Sequence, residues 1–208
     1  MSASVPEIHL HRGDLPDGLT FGESVAVDTE TMGLLPVRDR LCLVQLSAGD
    51  GTAHLVQFEK DQYAAPNLRA LLADPAVTKI FQYARFDLAM IRRFLGVDCR
   101  PVYCTKVASK LVRTFTDRHG LKDLCHDLLG VEISKQQQTS DWGAPELKPE
   151  QLRYAASDVL YLHQLRQKLD ALLAREGRAE LAAGCFAFLP YRAHLDLLGW
   201  SDEAVLSH

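Results

Sequence analysis

The sequence predicts an α/β protein with a mixed β-sheet and helices on both faces. Three β-rich runs come early and are joined by short turns, which is typical of an antiparallel meander. A helix, a short apolar strand and another helix follow, and this order predicts a parallel crossover. With 208 residues and 47% hydrophobic content, the chain suits one sizeable core. We therefore expect a single domain over 1–208, with its motifs within about 20–170 and a helical extension over about 175–208.

The predicted strands are apolar runs bounded by turn-forming residues. Gly33 opens a turn-rich segment that reaches Asp39, and Gly49-Asp50-Gly51 separates the next two runs. The fourth strand follows a helix and is predicted to be a short buried strand, as expected for a parallel strand. The predicted strands span 24–28, 41–47, 53–58 and 78–81.

The second half of the chain is predicted to be mostly helical. Gly96 ends one helix, because glycine readily adopts the left-handed conformation of a C-cap. Pro149 and Glu150 favour the start of another, whose apolar residues form one stripe that packs on the sheet. Pro190 interrupts the helical spacing near the end, so this segment is expected to dock as a partial extra helix. The predicted helices span 65–73, 85–95, 106–112, 121–129 and 149–174.

Composition excludes several classes of protein. The net charge of -4 gives no general polycation character, so any nucleic-acid binding must be local. The sequence lacks a run of 18 apolar residues and a secretory signal pattern, so we expect a soluble, cytoplasmic protein without membrane contact. The five cysteines form no C-x-x-C pair and complete no zinc pattern with nearby histidines, which favours reduced, buried thiols.

Acidic side chains recur where apolar segments end. Asp28 and Glu30 share one face of a strand, and Tyr154 and Asp158 lie one helical turn apart. Asp87 stands where a buried strand passes into a helix, the usual place for a site in an α/β sheet. Each could alone be an ordinary surface or capping residue. Together they predict a site for two Mg²⁺ or Mn²⁺ ions roughly 3.5 to 4 Å apart, a spacing used in phosphodiester cleavage.

These residues resemble the motifs of the ribonuclease D family, in the DEDD superfamily of 3′–5′ exonucleases with a tyrosine in the third motif. The three motifs are Val27 to Leu34, Gln82 to Asp87, and Tyr154 to Asp158. The stretch Lys135 to Trp142 is similar to the family's Lys-x-x-x-x-Ser/Thr-Asp-Trp pattern. With the order of elements, the resemblance implies a ribonuclease H-like fold, whose five-stranded sheet has three antiparallel strands at one side.

The resemblance also implies a metal-dependent exoribonuclease that releases 5′-mononucleotides from the 3′ ends of single-stranded RNA. Asp28 would bridge both ions, Glu30 and Asp158 would hold the ion that binds the attacking water, and Asp87 would support the other. Tyr154 would orient the water, because a phenol with a pKa near 10 is protonated at neutral pH.

Substrate contacts follow from position in the motifs. Glu30 and Thr31 would recognise the terminal 3′-hydroxyl, and apolar side chains would wedge against the last base, although Met32 and Leu34 equally suit simple loop anchoring. Tyr83 departs from the small polar residue common in relatives. The implied substrate-binding residues are Thr31, Met32, Leu34, Gln82, Arg85, Phe86 and Lys135, with Arg113, Arg118 and Lys122 as further candidates for phosphate contacts.

Two other functions compete with RNA trimming. A 3′–5′ DNA exonuclease would use the same metal site, because only recognition of the 2′-hydroxyl separates the two substrates. A catalytically idle nucleic-acid-binding scaffold is disfavoured, since such a domain is expected to have lost a metal ligand. We expect a short form without accessory helical domains. An apolar C-terminal segment that includes Phe188 and Trp200 suits a local cap or a homodimer contact, and the oligomeric state is left open.

Overall fold

A mixed sheet of six strands runs through the computed structural model, which describes residues 6–134 and 136–200. The strands are β1 (Glu7–Arg12), β2 (Ser24–Thr31), β3 (Leu41–Ser47), β4 (Thr52–Gln57), β5 (Thr78–Phe81) and β6 (Val102–Cys104). The strand order is β1-β4-β3-β2-β5-β6. Strands β2, β3 and β4 form the predicted antiparallel meander, and β5 and β6 extend it in parallel on the β2 side.

The expectation of five strands with the meander at one side is wrong. Strand β1 pairs in parallel with β4, so the meander lies inside the sheet and β1 forms its edge. The sequence of β1, Glu7 to Arg12, contains two histidines and two charged residues, a composition that edge strands tolerate but that obscures the strand pattern. At the other edge, β6 has only three residues, which are too few to show an alternation of apolar and polar side chains.

Helices cover both faces of the sheet. Because of this cover, all seven residues of β3 are buried, unlike a strand with one solvated face. The helices are α1 (Pro66–Ala73), α2 (Ala84–Leu95), α3 (Thr105–Val112), α4 (Leu121–Leu124, continued by a π-helical turn over Cys125–Leu129), α5 (Pro149–Leu160), α6 (Leu162–Arg175) and α7 (Ala179–Leu197). The buried apolar residues form two clusters, and the smaller one lies beneath α5 and contains Leu43, Leu55, Trp142 and Ala155.

Helix ends agree with the sequence at Gly96 and Pro149 and differ from it at two other points. Gly96 ends α2 with a φ of 66°, as predicted. The single helix predicted over 149–174 is wrong, because the chain breaks at Tyr161 into α5 and α6. Pro190 does not end the C-terminal helix but lies buried inside α7, which docks on α2. Among the described residues, no helix has both the length and the apolar character needed to cross a membrane.

A carboxylate near the end of α7 joins this helix to α2. The Arg85 guanidinium donates to both oxygens of Asp196, with distances of 2.6 and 2.7 Å. Arg192, which is 7% exposed, also donates to Asp196 and to the carbonyl oxygen of Trp200. Both guanidinium groups lower the pKa of Asp196 despite its partial burial. Asp196 therefore neutralises positive charge at the contact between the two helices.

Replacing Asp196 with alanine should weaken this contact. Removing the shared carboxylate leaves less negative charge near a buried arginine, so we expect a loss of roughly 1–3 kcal/mol in the free energy of unfolding, measured by urea denaturation. Asp98→Ala is the matched control, because Asp98 also lies against two arginines, Arg92 and Arg100, but is 49% exposed. The control should change stability by less than about 0.5 kcal/mol. Equal losses in both variants would contradict the proposed role of Asp196.

Candidate active site

Strand β2 places the first motif on the face of the sheet that α5 covers. In the antiparallel pair with β3, Asp28 lies opposite Gln45 and Glu30 lies opposite Leu43. Side chains two residues apart share a face of the strand, so both carboxylates project in the same direction. The register shifts between Glu30 and Thr31, where the strand leaves its regular pairing. The two acidic groups therefore lie at the end of a buried strand.

Helix α5 carries a third carboxylate to the same place. Its buried alanines, Ala155 and Ala156, allow the helix to lie close to the sheet, and Asp158 is on its next turn. Asp28, Glu30 and Asp158 each offer one carboxylate oxygen, and these three oxygens all lie within 4.8 Å of one another. Oxygen ligands at such separations suit a hard divalent cation.

Asp87 reaches the site from another element and lies beyond this group of three. It is in the first turn of α2 and is only 4% exposed. Its Oδ1 accepts a hydrogen bond of 2.6 Å from the hydroxyl of Thr29. Thr29 separates Asp28 from Glu30 along β2, so its side chain points to the opposite face of that strand. One strand thus contacts acidic groups of two helices.

The clustered carboxylates are difficult to ionise together. Burial, and then the charges of Asp87, Asp158 and Glu30, raise the pKa of Asp28 well above its ordinary value. Burial and the neighbouring carboxylates raise the pKa of Glu30 to about 9. Burial raises the pKa of Asp87 to about 7, although the hydrogen bond from Thr29 opposes this shift. Without a cation, the folded protein therefore favours protonated carboxyl groups here.

Tyr154 lies beside the acidic group and remains protonated. Burial is the largest cause of its raised pKa, followed by the charges of Asp158, Glu30 and Asp28, and a hydrogen bond to Asp158 acts in the same direction. Its ring lies 6.0 Å from the ring of Trp142, centre to centre. Trp142 is 2% exposed, and it comes from the stretch that the sequence singled out. The phenol is thus held as a hydrogen-bond donor.

A cleft of about 690 Å³ opens over the carboxylates and Tyr154. Phe86 is partly buried in its wall, whereas Leu34 is 82% exposed at its mouth. The loop residue Met32 is 51% exposed, and its sulfur lies close to Gly143, where an added Cβ would be 2.4 Å away. The candidate substrate-binding residues in the lining are Thr31, Leu34, Gln82, Arg85 and Phe86. Lys135 lies outside the described residues.

Two of these lining residues are already bonded within the protein. Gln82 donates to the carbonyl oxygen of His119 at 2.8 Å and accepts from the Thr105 hydroxyl. Arg85 forms its bidentate pair with Asp196, which also lines the cleft. Both side chains therefore fix the cleft wall.

The three other basic candidates are placed differently. Arg113 is 4% exposed and pairs with Asp127, and Arg118 pairs with Asp123. Only Lys122 lines the cleft.

Sequence analysis missed several residues of the site. Thr29 could have been found, because a residue between two same-face carboxylates must point to the other side of the strand. Lys106 also lines the cleft, with its Nζ 4.0 Å from the ring centre of Tyr83. Asp196 has no local signal, because it is 111 positions from Arg85 in the sequence.

The raised pKa values predict that the metal-free protein loses stability as pH increases. The folded state binds more protons than the unfolded chain, whose Asp and Glu groups have ordinary pKa values near 3.8 and 4.5. Stability is therefore fully present below those values and is lost as pH rises through about 7 for Asp87 and about 9 for Glu30. In the presence of a chelator, the melting temperature should decrease as the pH is raised from about 5 to about 9.

Replacing Asp28 with asparagine should reduce this loss, because it removes one buried negative charge. At about pH 8 we expect a melting temperature roughly 5 °C above the wild type, with a much smaller difference at about pH 5. Asp61→Asn is the control, since Asp61 is exposed and has a φ of 64°, which asparagine also adopts. An identical pH slope in the wild type and in Asp28→Asn would contradict the electrostatic explanation.

Comparison with known proteins matches most of this chain to one family. A family model described as 3′-5′ exonuclease matches residues 16–174. Ribonuclease D of Acidiphilium cryptum is 37% identical over 169 residues, which are 81% of this chain and 43% of that protein. The chain spans less than half the length of that protein and of two other curated ribonuclease D relatives.

Solved structures give the same result for the fold. Brucella melitensis NrnC superposes with a TM-score of 0.94 at 55% identity, covering 97% of this chain and 98% of that one. Other structures of that protein are described as bound to pGG and as with bound Mg²⁺. Escherichia coli RNase D, at 24% identity, has a TM-score of 0.70 over 82% of this chain and 45% of its own, which confirms the ribonuclease H-like fold. The chain therefore belongs to the 3′–5′ exonuclease family of the DEDD superfamily, and it is similar to ribonuclease D and to NrnC.

Proposed function

We propose that this protein is a divalent-metal-dependent exonuclease that removes 5′-mononucleotides from the 3′ ends of single-stranded RNA. The observation that carries the proposal is the convergence of Asp28, Glu30 and Asp158 within 4.8 Å at the base of a cleft. A buried group of like charges is costly in a protein without a compensating cation. The ribonuclease D relatives support RNA as the substrate class.

The residues present fit a pair of Mg²⁺ or Mn²⁺ ions. All the available ligands are carboxylate oxygens, which hard cations prefer. Gln45 lies opposite Asp28 and is fully buried, yet neither polar atom of its amide has a hydrogen-bond partner among the described residues. A hydrated ion nearby would supply such partners. Asp28 would bridge the two positions, Glu30 and Asp158 would complete one, and Asp87 would support the other. When bound, two ions would activate a water molecule and stabilise the leaving 3′-oxygen.

Tyr154 would orient the attacking water rather than remove its proton. Its phenol is kept protonated by burial and by the carboxylates around it, so it can donate a hydrogen bond but is a poor base. Packing near Trp142 limits the directions in which the ring can move. The position of the water relative to the scissile phosphate would then depend on α5, because this helix carries both Tyr154 and Asp158.

The cleft suits a short single strand that enters by its 3′ end. Glu30 and Thr31, at the end of β2, would meet the terminal hydroxyl, and Phe86 and Leu34 offer apolar surface to the last base. Stacking on such surfaces does not depend on base identity, which suits trimming of any sequence. Lys106, held against Tyr83, places a positive charge at the wall for a backbone phosphate. The structure of Brucella melitensis NrnC bound to pGG supports pGG as a test ligand.

The decisive assay follows shortening of 5′-labelled single-stranded RNA in Mg²⁺ or Mn²⁺. The wild type should shorten RNA stepwise and release 5′-mononucleotides. Asp28→Asn should abolish activity, because it removes the bridging charge. Tyr154→Phe should slow cleavage on the order of a hundredfold, because the water loses its orienting donor. Tyr161→Phe, just beyond the end of α5, is the matched control and should be as active as the wild type.

The same assay with pGG and with single-stranded DNA of identical sequence tests the substrate class. If DNA is shortened as fast as RNA or faster, the substrate of the protein is DNA, or both DNA and RNA. If the folded wild type cleaves neither polymer nor pGG in either metal, the exonuclease proposal is wrong and the idle-scaffold alternative is favoured.

Replacing Thr29 with valine tests how Asp87 is positioned. Valine has nearly the shape of threonine but cannot donate the hydrogen bond, so the carboxylate loses its fixed orientation. We expect the Mg²⁺ concentration for half-maximal RNA cleavage to rise on the order of tenfold, with a stability loss of about 1 kcal/mol. Ser24→Ala, at the start of β2, should leave the metal requirement unchanged. An unaltered metal requirement in Thr29→Val would show that Asp87 does not need this contact.

A further inference from the structure

A second cluster of potential metal ligands lies at the β1 edge of the sheet. His9 and His11 are two residues apart on β1, so their side chains share a face of the strand. His54 of β4 is the register partner of His9 in the parallel pair. All three side chains are partly exposed. The fold thus brings three imidazoles from two strands into one group.

The imidazole rings are packed closely against one another. Their centres are 5.0 Å apart for His9 and His54, 5.4 Å for His11 and His54, and 6.4 Å for His9 and His11. Nε2 of His11 and Nδ1 of His54 lie 3.1 Å apart and share a hydrogen bond. One of these nitrogens must therefore present its lone pair to the other.

These separations resemble those of imidazoles that share one tetrahedral ion. With metal–nitrogen bonds of about 2.0–2.1 Å, two ligand nitrogens are about 3.3 Å apart and their ring centres about 5 Å apart. The pair of His11 and His54 matches both distances, and the pair of His9 and His54 matches the second. His11 and His54 are placed as two corners of such a site, and rotation of the His9 ring would supply the third.

The surroundings also suit metal binding. The Nε2 atom of His9 lies 3.0 Å from a carboxylate oxygen of Glu7. Because His9 is turned toward Glu7, ligation would require rotation of this one exposed ring. Burial, followed by the neighbouring imidazoles, lowers the pKa of His11 and His54, which favours the neutral form that binds metals. Phe21 packs edge-on against His54 and shields one side of the group.

We propose that His9, His11 and His54 form a binding site for a transition-metal ion that prefers nitrogen ligands. Zn²⁺ is the ion used to test the site. Its chemistry differs from that of the exonuclease site, because imidazole nitrogen suits Zn²⁺, Cu²⁺ and Ni²⁺, whereas carboxylate oxygen suits Mg²⁺. The bound ion would join β1 to β4 and stabilise the edge strand. This inference does not depend on the proposed exonuclease activity.

The test is titration of the untagged full chain with ZnCl₂ by calorimetry, in millimolar MgCl₂ to occupy the carboxylate site. The wild type and Asp28→Asn should each bind one Zn²⁺ at the histidine site, and His54→Gln should weaken that binding at least on the order of tenfold. His194→Gln on α7 is the control and should bind as the wild type does. Co²⁺ should give the intense visible absorption of a tetrahedral nitrogen site in the wild type but not in His54→Gln.

A second histidine variant keeps the test valid if His54→Gln does not fold properly. If His54→Gln lowers the melting temperature of the metal-free protein, His9→Gln at the exposed end of the group replaces it. Zn²⁺ should raise the melting temperature of the wild type and of Asp28→Asn, but not that of either His variant. Zn²⁺ binding that Asp28→Asn removes and that the His variants leave unchanged would overturn the proposal. So would the absence of Zn²⁺ binding to the wild type in the presence of Mg²⁺.

Discussion

The close approach of the carboxylates of Asp28, Glu30 and Asp158 is the constraint on which the rest of this structure depends. Three acidic groups within 4.8 Å repel one another, and burial increases the cost of ionising them. The surrounding core must supply the stability that this arrangement loses. It does so through β3, which is buried along its whole length, and through the small residues by which α5 packs on the sheet.

Strand β2 connects the two halves of the site because its two faces meet different helices. One face carries Asp28 and Glu30 toward α5, and the other carries Thr29 toward Asp87 on α2. A shift of the strand by one residue would exchange these faces and destroy both contacts. The pairing of β2 with β3 and β5, buried on both sides, prevents such a shift. The candidate site is therefore built on the centre of the sheet.

The periphery of the fold contributes contacts of a different kind. Asp196 joins the end of α7 to Arg85, two positions before Asp87 on α2, so the C-terminal helix supports the cleft wall. At the opposite edge, β1 brings His9 and His11 next to His54. The oxygen ligands at the centre and the nitrogen ligands at the edge select different cations. One sheet thus presents two chemically separate groups of potential ligands.

The sequence by itself determined the motif positions and most of the elements. Asp28, Glu30 and Asp158 could be recognised because each lies beside apolar residues that recur with the period of a strand or a helix. Only the tertiary structure decided the sixth strand, the break at Tyr161, the contact of Arg85 with Asp196 and the group of three histidines. Local periodicity reports which face of an element is apolar, but it contains no information about which distant element covers that face. Pairing across long stretches of chain is set by the packing of the whole core.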